Sequence, residues 1–277
     1  MTPFLSGLAV LTAVFAGISI LERIPALRYQ AQPVRRPWFT TDVAWYLLSA
    51  LVAGVFAFVF RPVLAQLAVP GVSAFTGALP APVQLLFAVL VFDFVACTVH
   101  VAIHRSDTLW AFHKVHHSSR QLDVLATTRT QPFELLIRNV PAQLALFALA
   151  IPGNLVGVAV LTFGAFGALN HSNLRLPLRY AEVLFITPRL HRAHHVPATC
   201  QYNFATIFTI WDRPWGRLLR VDTDPDEVLG VPEEIDSFPQ PFRQAFREPL
   251  RQLHDRRVAT HEVPPAADTV SSTSGDR

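Results

Sequence analysis

The sequence is poor in charge, cysteine and lysine, and each shortage excludes a class of protein. Only 16% of its 277 residues are charged and 51% are hydrophobic, whereas soluble domains usually carry about 25% charged residues. Cys97 and Cys200 are too few for a disulfide framework, a four-thiolate zinc site or an iron–sulfur cluster. Lys114 is the only lysine, and the net charge of +3 includes no basic run that would bind nucleic acid. The composition therefore favours a folded membrane protein.

Long uncharged stretches predict membrane helices. Residues 1–21 approach the roughly 20 residues that cross a bilayer, and they lack the basic start and cleavage site of a signal peptide, so we expect an uncleaved helix. Further stretches cover residues 43–60 and 83–104, and two more lie within 133–171, divided by a Pro-Gly-Asn turn at 152–154. The last of these is short for a full span, so the pair could instead form a hairpin. We predict an all-α integral membrane bundle with about four or five membrane helices.

Arginine placement predicts the orientation of this bundle. The first connection carries Arg23, Arg28, Arg35 and Arg36, whereas the second carries only Arg61. Because arginine-rich connections remain in the cytoplasm, we expect the first connection there, together with a histidine-rich helical cap at the same end. We expect the membrane to be the plasma membrane of a bacterium.

The chain divides into four parts. Residues 1–82 are expected to form the N-terminal membrane helices, and 83–220 the histidine-rich domain. Residues 221–257 are expected to form a C-terminal cytoplasmic segment. The stretch 258–277 is rich in Pro, Ala, Ser, Thr and Asp and is expected to be a disordered tail.

Histidine is abundant, and its spacing predicts a metal site. Nine of the eleven histidines form an i, i+4 pair, two His-x-x-His-His clusters and one residue between the clusters: His100 and His104; His113, His116 and His117; His171; His191, His194 and His195. Helical positions three or four apart share a face, so each cluster can direct two imidazoles at one centre. Burying so many imidazoles without a metal would leave donors and acceptors unpaired. His254 and His261 stand apart and are expected at the surface.

The number of histidines favours two ions. Imidazole binds Zn, Cu, Fe and Ni, so ligand type alone leaves the metal open. A tetrahedral zinc uses only four ligands. A histidine-rich dinuclear site beside a membrane and open to O2 points to two irons.

The ordered motifs resemble those of the fatty acid hydroxylase superfamily, also called sterol desaturase-like. The match extends to the segments that flank the two clusters: Leu109-Trp110, Thr187-Pro188-Arg189, Asn203-Phe204 and Trp211-Asp212-Arg213. The resemblance covers roughly residues 90–220 and implies that 83–220 is the catalytic domain. It implies a non-haem di-iron enzyme that uses O2 to hydroxylate or desaturate a lipid C–H bond, with all nine clustered histidines as iron ligands.

Two positions depart from the family pattern. Gln131 stands where many members have a histidine, and Val101 stands where many have an arginine. The amide of Gln131, or a water, could replace the missing imidazole.

Several other residues are candidates for supporting the ligands. Asp93 lies seven residues before His100 on an apolar helix, so we expect it to assist catalysis by accepting a hydrogen bond from a ligand imidazole. A helix–helix hydrogen bond is the alternative. Asn173 and Asn203 are further candidates for such bonds. Trp110 and Trp211 are expected in packing or at the membrane interface.

The sequence shows no fused electron-transfer domain, so we expect a separate ferredoxin or cytochrome-type donor at the cytoplasmic face. Three alternatives remain open: a metal- or haem-binding membrane protein without oxidase activity, a zinc-dependent membrane hydrolase, and an inactive relative that binds lipid. Haem is disfavoured because the histidines gather at span ends. The hydrolase is disfavoured because no cluster contains the glutamate of H-E-x-x-H.

Overall fold

The computed structural model describes residues 2–262 except Val34, Ala65, Ala68 and Pro225, and this part of the chain is helical. Its α-helices are α1 (Thr2–Leu21), α2 (Phe39–Val55), α3 (Arg61–Leu64), α4 (Pro70–Gly77), α5 (Ala81–Arg105), α6 (Asp107–His117), α7 (Pro132–Ala148), α8 (Gly153–Asn170), α9 (Pro188–His194) and α10 (Phe242–Glu262). A π-helical stretch, Phe56–Phe60, joins α2 to α3. The described residues contain two isolated β-bridges and no strand. The predicted all-α fold is confirmed.

Four helical stretches are long and apolar enough to cross a membrane: Pro3–Leu21, Phe39–Leu64, Ala81–Arg105 and Gly153–Asn170. The last predicted stretch looked short for a full span, and α8 is nevertheless long and apolar enough to cross. Helix α7 is less apolar: it has 17 residues, contains Pro141 and carries Glu134 and Arg138. It nevertheless runs from the histidine end, where Glu134 contacts His113, to the opposite end, where the Ala148 carbonyl accepts from the Val69 N–H.

Helix α5 lies at the centre of the bundle and packs against α6, α7 and α8. Phe92 and Ala96 of α5 share a buried cluster with Leu146 of α7 and Ala159 of α8. Gly7 of α1 faces Leu161 of α8, where an added Cβ would lie at van der Waals contact, 3.4 Å from the leucine side chain. Small residues at such contacts are typical of helix pairs in membranes.

The arginine-rich first connection lies at the same end of the bundle as the histidines. Glu22, directly after α1, accepts hydrogen bonds from the backbone N–H of Val124 (2.9 Å) and of Asn173 (2.8 Å). Arg36 pairs with Asp123 at 2.6 Å and with Asp42 at 2.7 Å, and all three side chains are buried. The opposite end is marked by the backbone bond from Val69 to Ala148.

Helix α10 covers the histidine end from the outside. Phe242 of α10 packs edge-on against buried Trp45 of α2, with ring centroids 4.8 Å apart. Lys114 of α6 pairs with Glu234 and donates a 3.0 Å hydrogen bond to Gln252 of α10. The helix continues to Glu262, into the segment where we predicted a tail, and residues 263–277 lie outside the described residues.

Candidate metal centre

The structure brings all nine clustered histidines together in two groups. The larger consists of His100, His104, His113, His117 and His194, and the smaller of His116, His171, His191 and His195. Each imidazole offers one ring nitrogen as a ligand, and within a group these nitrogens all lie within 4.8 Å of one another. His104 is partly buried, and the other eight side chains are buried. The described part of the chain therefore contains two candidate metal sites side by side.

Helical spacing explains how neighbouring residues reach different groups. On α6, His113 and His117 are four apart and join the larger group, whereas His116 turns to the smaller one. On α9 and its C-terminal cap, His191 and His195 join the smaller group and His194 the larger. Both helices thus connect the two groups.

The remaining ligand candidates come from the ends of α5 and α8. His100 and His104 occupy successive turns at the C-terminal end of α5, and only Ser106 separates α5 from α6. The Ser106 hydroxyl accepts a hydrogen bond from the Leu109 N–H and so caps α6 directly after this corner. His171 caps the C-terminus of α8.

Hydrogen bonds at Nδ1 orient four of the imidazoles. His100, His171 and His194 lie 2.7–2.8 Å from the carbonyl oxygens of Phe204, Gly167 and Tyr202 respectively. The Nδ1 of His113 lies 2.7 Å from Glu134. Donation from Nδ1–H leaves the lone pair on Nε2, so these partners favour the tautomer that coordinates through Nε2.

The Nε2 atoms of the smaller group converge on one point. That of His171 lies 2.9 Å from His116, 3.0 Å from His191 and 3.2 Å from His195. Protons cannot satisfy so many mutual nitrogen contacts, because each contact needs one donor and one acceptor. Metal–nitrogen bonds of about 2.1 Å would place neighbouring ligand nitrogens roughly 3 Å apart. The donor set therefore fits a bound transition-metal ion.

The larger group also fits a metal: Nε2 of His100 lies 3.0 Å from Nε2 of His113, and several other nitrogens of the group lack partners within the described residues. Both ring nitrogens of His104 and of His117, and Nε2 of His194, are buried without a hydrogen-bond partner within the described residues. Burial lowers the pKa of His194 to about 3 and that of His171 to about 4. Burial also holds the pKa of His117 and His195 well below the usual value. These imidazoles are therefore neutral at pH 7, which is the form that binds metal.

Glu134 is a site residue that the sequence motifs do not reveal. It lies in the first turn of α7, its side chain is fully buried, and its carboxylate contacts His113 at 2.7 Å and Arg138 at 3.5 Å. A glutamate thus accompanies the histidines after all, although none lies within a cluster. Because Glu134 binds Nδ1 of His113, it orients this imidazole rather than facing the group as a general base. In the sequence, the only sign of this role is an acidic residue within a largely apolar stretch.

Asp93 corrects a prediction. Its carboxylate accepts hydrogen bonds from the backbone N–H groups of Thr206, Ile207 and Phe208, at 2.8–3.2 Å, and from the Trp211 indole at 3.0 Å. We predicted that this carboxylate accepts a hydrogen bond from a ligand imidazole, and that prediction is wrong, because both of its oxygens accept from the 206–211 loop. Asp93 instead fixes the 206–211 loop to α5. The preceding residues Phe204 and Ala205 donate backbone bonds to Asp212, and the Phe204 carbonyl contacts His100.

The other candidate supporting residues also bind backbone rather than imidazoles. Asn173 exchanges side-chain hydrogen bonds with the backbone of Gln30. Asn203 donates to the Leu190 carbonyl at 2.9 Å. Gln131 donates to carbonyls of α10, those of Ala245 (3.2 Å) and Phe246 (3.0 Å), so it does not replace a ligand.

Trp110 lies against the larger group, with its ring centroid 4.7 Å from that of His104 and 5.2 Å from that of His117. Val101 packs into a core cluster that includes Cys97 and Leu190. His254 is exposed on α10, as expected, and the side chain of His261 lies outside the described residues.

Comparison with known proteins finds one family model and several curated relatives that match part of the chain. Residues 85–216 match the family model described as fatty acid hydroxylase. The chain is 29% identical to ornithine lipid hydroxylase OlsE of Rhizobium tropici over 181 residues, 62% of this chain and 54% of that protein. It is 34% identical to alkylglycerol monooxygenase of Danio rerio over 145 residues, 50% of this chain and 31% of that protein. The chain therefore spans about half the length of the first relative and a third of the second. No solved structure matches.

Proposed function

We propose that this chain is an integral membrane lipid hydroxylase of the fatty acid hydroxylase superfamily, with two iron ions and O2 as co-substrate. The proposal is supported by the match of residues 85–216 to the fatty acid hydroxylase family model. The observation that supports this most strongly is the arrangement of nine histidines in groups of five and four. Each group is large enough to hold one ion, and the two groups share α6 and α9. Two adjacent sites with imidazole ligands suit a dinuclear centre better than a single zinc.

Two irons bound there would supply the reduction of O2 to an oxidant that can attack an unactivated C–H bond. The residues of this chain would hold the ions, orient the ligand imidazoles and exclude water from the site. Glu134 and the carbonyls of Phe204, Gly167 and Tyr202 fix imidazole orientation. The burial of the histidines keeps bulk water from the site.

Hydroxylation is favoured over desaturation by the names of the relatives. One is a hydroxylase of an ornithine lipid and the other a monooxygenase of an alkylglycerol. We therefore propose that one oxygen atom enters a lipid C–H bond, with the other leaving as water. This balance requires two electrons and two protons; the electrons come from a separate ferredoxin or cytochrome-type donor and the protons from solvent.

We propose that the site faces the cytoplasm of a bacterial cell. The first connection, with its four arginines, shares the histidine end of the bundle through Glu22 and Arg36. The positive-inside rule then places this end in the cytoplasm, where reduced electron carriers are found.

The proposed function is tested by labelling lipids with ¹⁸O₂. Cells that express the wild-type chain are compared with cells that express His116→Ala or His194→Ala, and total lipids are analysed by mass spectrometry. We expect a lipid that gains one ¹⁸O atom only with the wild-type chain. A lipid that loses two hydrogens without gaining ¹⁸O would show desaturation. No difference between wild-type and variant cells would contradict oxidase activity.

A further inference from the structure

A cavity of about 650 Å³ opens between the connection after α1, the segment after α8 and the start of α9. Its walls include Tyr29, Arg175, Arg179, Tyr180, Arg189 and Asp222. The connection after α1 and the segment after α8 form one side, where Tyr29 N–H donates to the Asn173 carbonyl and Arg175 N–H to the Leu27 carbonyl. A cavity of this size can hold a small ligand or the polar part of a larger one.

The cavity carries an excess of positive charge. Three guanidinium groups and one carboxylate line it. Asp222 pairs with Arg179 at 2.6 Å and with Arg189 at 3.3 Å. Arg189 also pairs with buried Glu182, whereas Arg175 has no carboxylate partner among the described residues. Arginine presents a planar set of donors that matches phosphate and carboxylate.

A second observation indicates a polar ligand. Thr223 lines the same cavity, and its hydroxyl oxygen is buried without a hydrogen-bond partner in the described structure. A buried hydroxyl without a partner is unfavourable, and a ligand oxygen would satisfy it. The guanidinium of Arg192 lies 5.1 Å from the Tyr29 ring centroid and supports this wall of the cavity from behind.

The surface around the cavity is suited to the membrane boundary. Tyr180 at its rim is 95% exposed, and Val183 in the same turn is 62% exposed. Arg213 donates to the Val183 carbonyl, and Trp215 nearby in sequence is 74% exposed. Exposed aromatic and aliphatic side chains beside arginines are typical of membrane interfaces. This pattern favours a position of the cavity at the depth of lipid headgroups.

The same segments lead to the candidate metal site. Arg189 is two residues before His191 on α9, and Arg175 is four residues after His171. Both histidines belong to the smaller group. The segments that line the cavity thus also carry two of the four histidines of this group.

We propose that this cavity binds the anionic headgroup, a phosphate or carboxylate, of the lipid that the histidine site oxidises. The assignment of this lipid as substrate rests on the proposed function. Binding of the headgroup itself depends only on the arginines and Thr223. It can therefore be measured without turnover.

The test uses the full-length protein in nanodiscs of phosphatidylcholine. Three probes are titrated: lysophosphatidic acid, monoacylglycerol with the same chain, and glycerol 3-phosphate. The variant Arg175→Gln removes the unpaired cation, and Arg256→Gln on α10 is the control, because it removes the same charge at a distant exposed position. Iron content is measured for each protein to show that the fold is intact.

We expect wild-type protein to bind lysophosphatidic acid about tenfold more tightly than monoacylglycerol, and Arg175→Gln to abolish this preference. Arg256→Gln should leave it unchanged. Equal binding of both lipids, or an equal loss in the control, would overturn the proposal. Glycerol 3-phosphate binding as tightly as the lipid would assign the cavity to a free phosphate instead.

The two proposals fail separately. Incorporation of ¹⁸O into a cellular lipid without any headgroup preference would refute headgroup binding in the cavity but would still support the proposed hydroxylase function. Headgroup preference without ¹⁸O incorporation would support the cavity as a binding site and refute the proposed function.

Discussion

Glu134 shows how a single buried carboxylate can control a histidine site. Removing it leaves Nδ1 of His113 without its acceptor and frees the ring to turn. We expect Glu134→Ala to weaken metal binding by about 10- to 100-fold, with a smaller loss in Glu134→Gln, which retains an acceptor oxygen. Competition with a chelator of known affinity measures the effect. Glu248→Ala, which removes a buried glutamate of α10, serves as control. Unchanged affinity in Glu134→Ala would show that His113 is held by its packing alone.

Glu22 is expected to make stability depend on pH. Burial raises its pKa from 4.5 to about 7. The folded chain then binds more protons than the unfolded chain between these values, so the stability contributed by this group is full below about pH 4.5 and is lost as pH rises through 7. We expect Glu22→Gln to raise the melting temperature in detergent at pH 8 and to flatten its fall between about pH 5 and 8. An equal fall in wild type and Glu22→Gln would contradict this account.

Individual residues also show which parts of the site can be predicted from sequence and which cannot. The nine histidines follow from spacing, because i, i+3 and i+4 positions share a helix face whatever the rest of the fold does. The partners of Asp93 do not, because the 206–211 loop that it binds is more than a hundred residues away in the chain. Contacts of that range depend on the tertiary fold.

At the scale of elements, Gln131 illustrates compensation between two helices. Pro249 within α10 has no N–H for the Ala245 carbonyl, and the Gln131 amide donates to that oxygen instead. We expect Gln131→Ala to destabilise the protein by about 1–3 kcal/mol without loss of iron. The same substitution should cost less in a Pro249→Ala background, where the helix supplies its own donor. Thermal unfolding of the four proteins measures this coupling. Loss of iron in Gln131→Ala would contradict this account and show that Gln131 supports metal binding.

Helices α7 and α8 show which features of the membrane helices can be predicted from sequence. The sequence places two apolar stretches around the turn at 152–154, and the structure has a helix on each side. Glu134 of α7 is compensated by tertiary contacts with His113 and Arg138, and these contacts are not visible in hydropathy. The four candidate spans and the all-helical class could be predicted, but the contact of Glu134 with His113 could not.

At the scale of the whole molecule, the orientation can be tested with a matched pair of exposed alanines. Ala31 lies in the first connection at the histidine end, and Ala78 follows α4 at the opposite end. In a background without Cys97 and Cys200, we expect Ala78→Cys to react with a membrane-impermeant maleimide in spheroplasts. Ala31→Cys should react only after lysis. The reverse pattern would place the histidines outside the cytoplasm.

The central claim is that two groups of histidines hold two irons, and metal analysis of the purified protein tests it most directly. Wild-type protein should contain about two irons per chain, because the chain offers two separate donor sets. His194→Ala in the larger group and His116→Ala in the smaller should each lose iron, whereas His254→Ala on α10 should retain both ions. A single zinc per chain, or a folded wild-type protein without metal, would contradict the di-iron account.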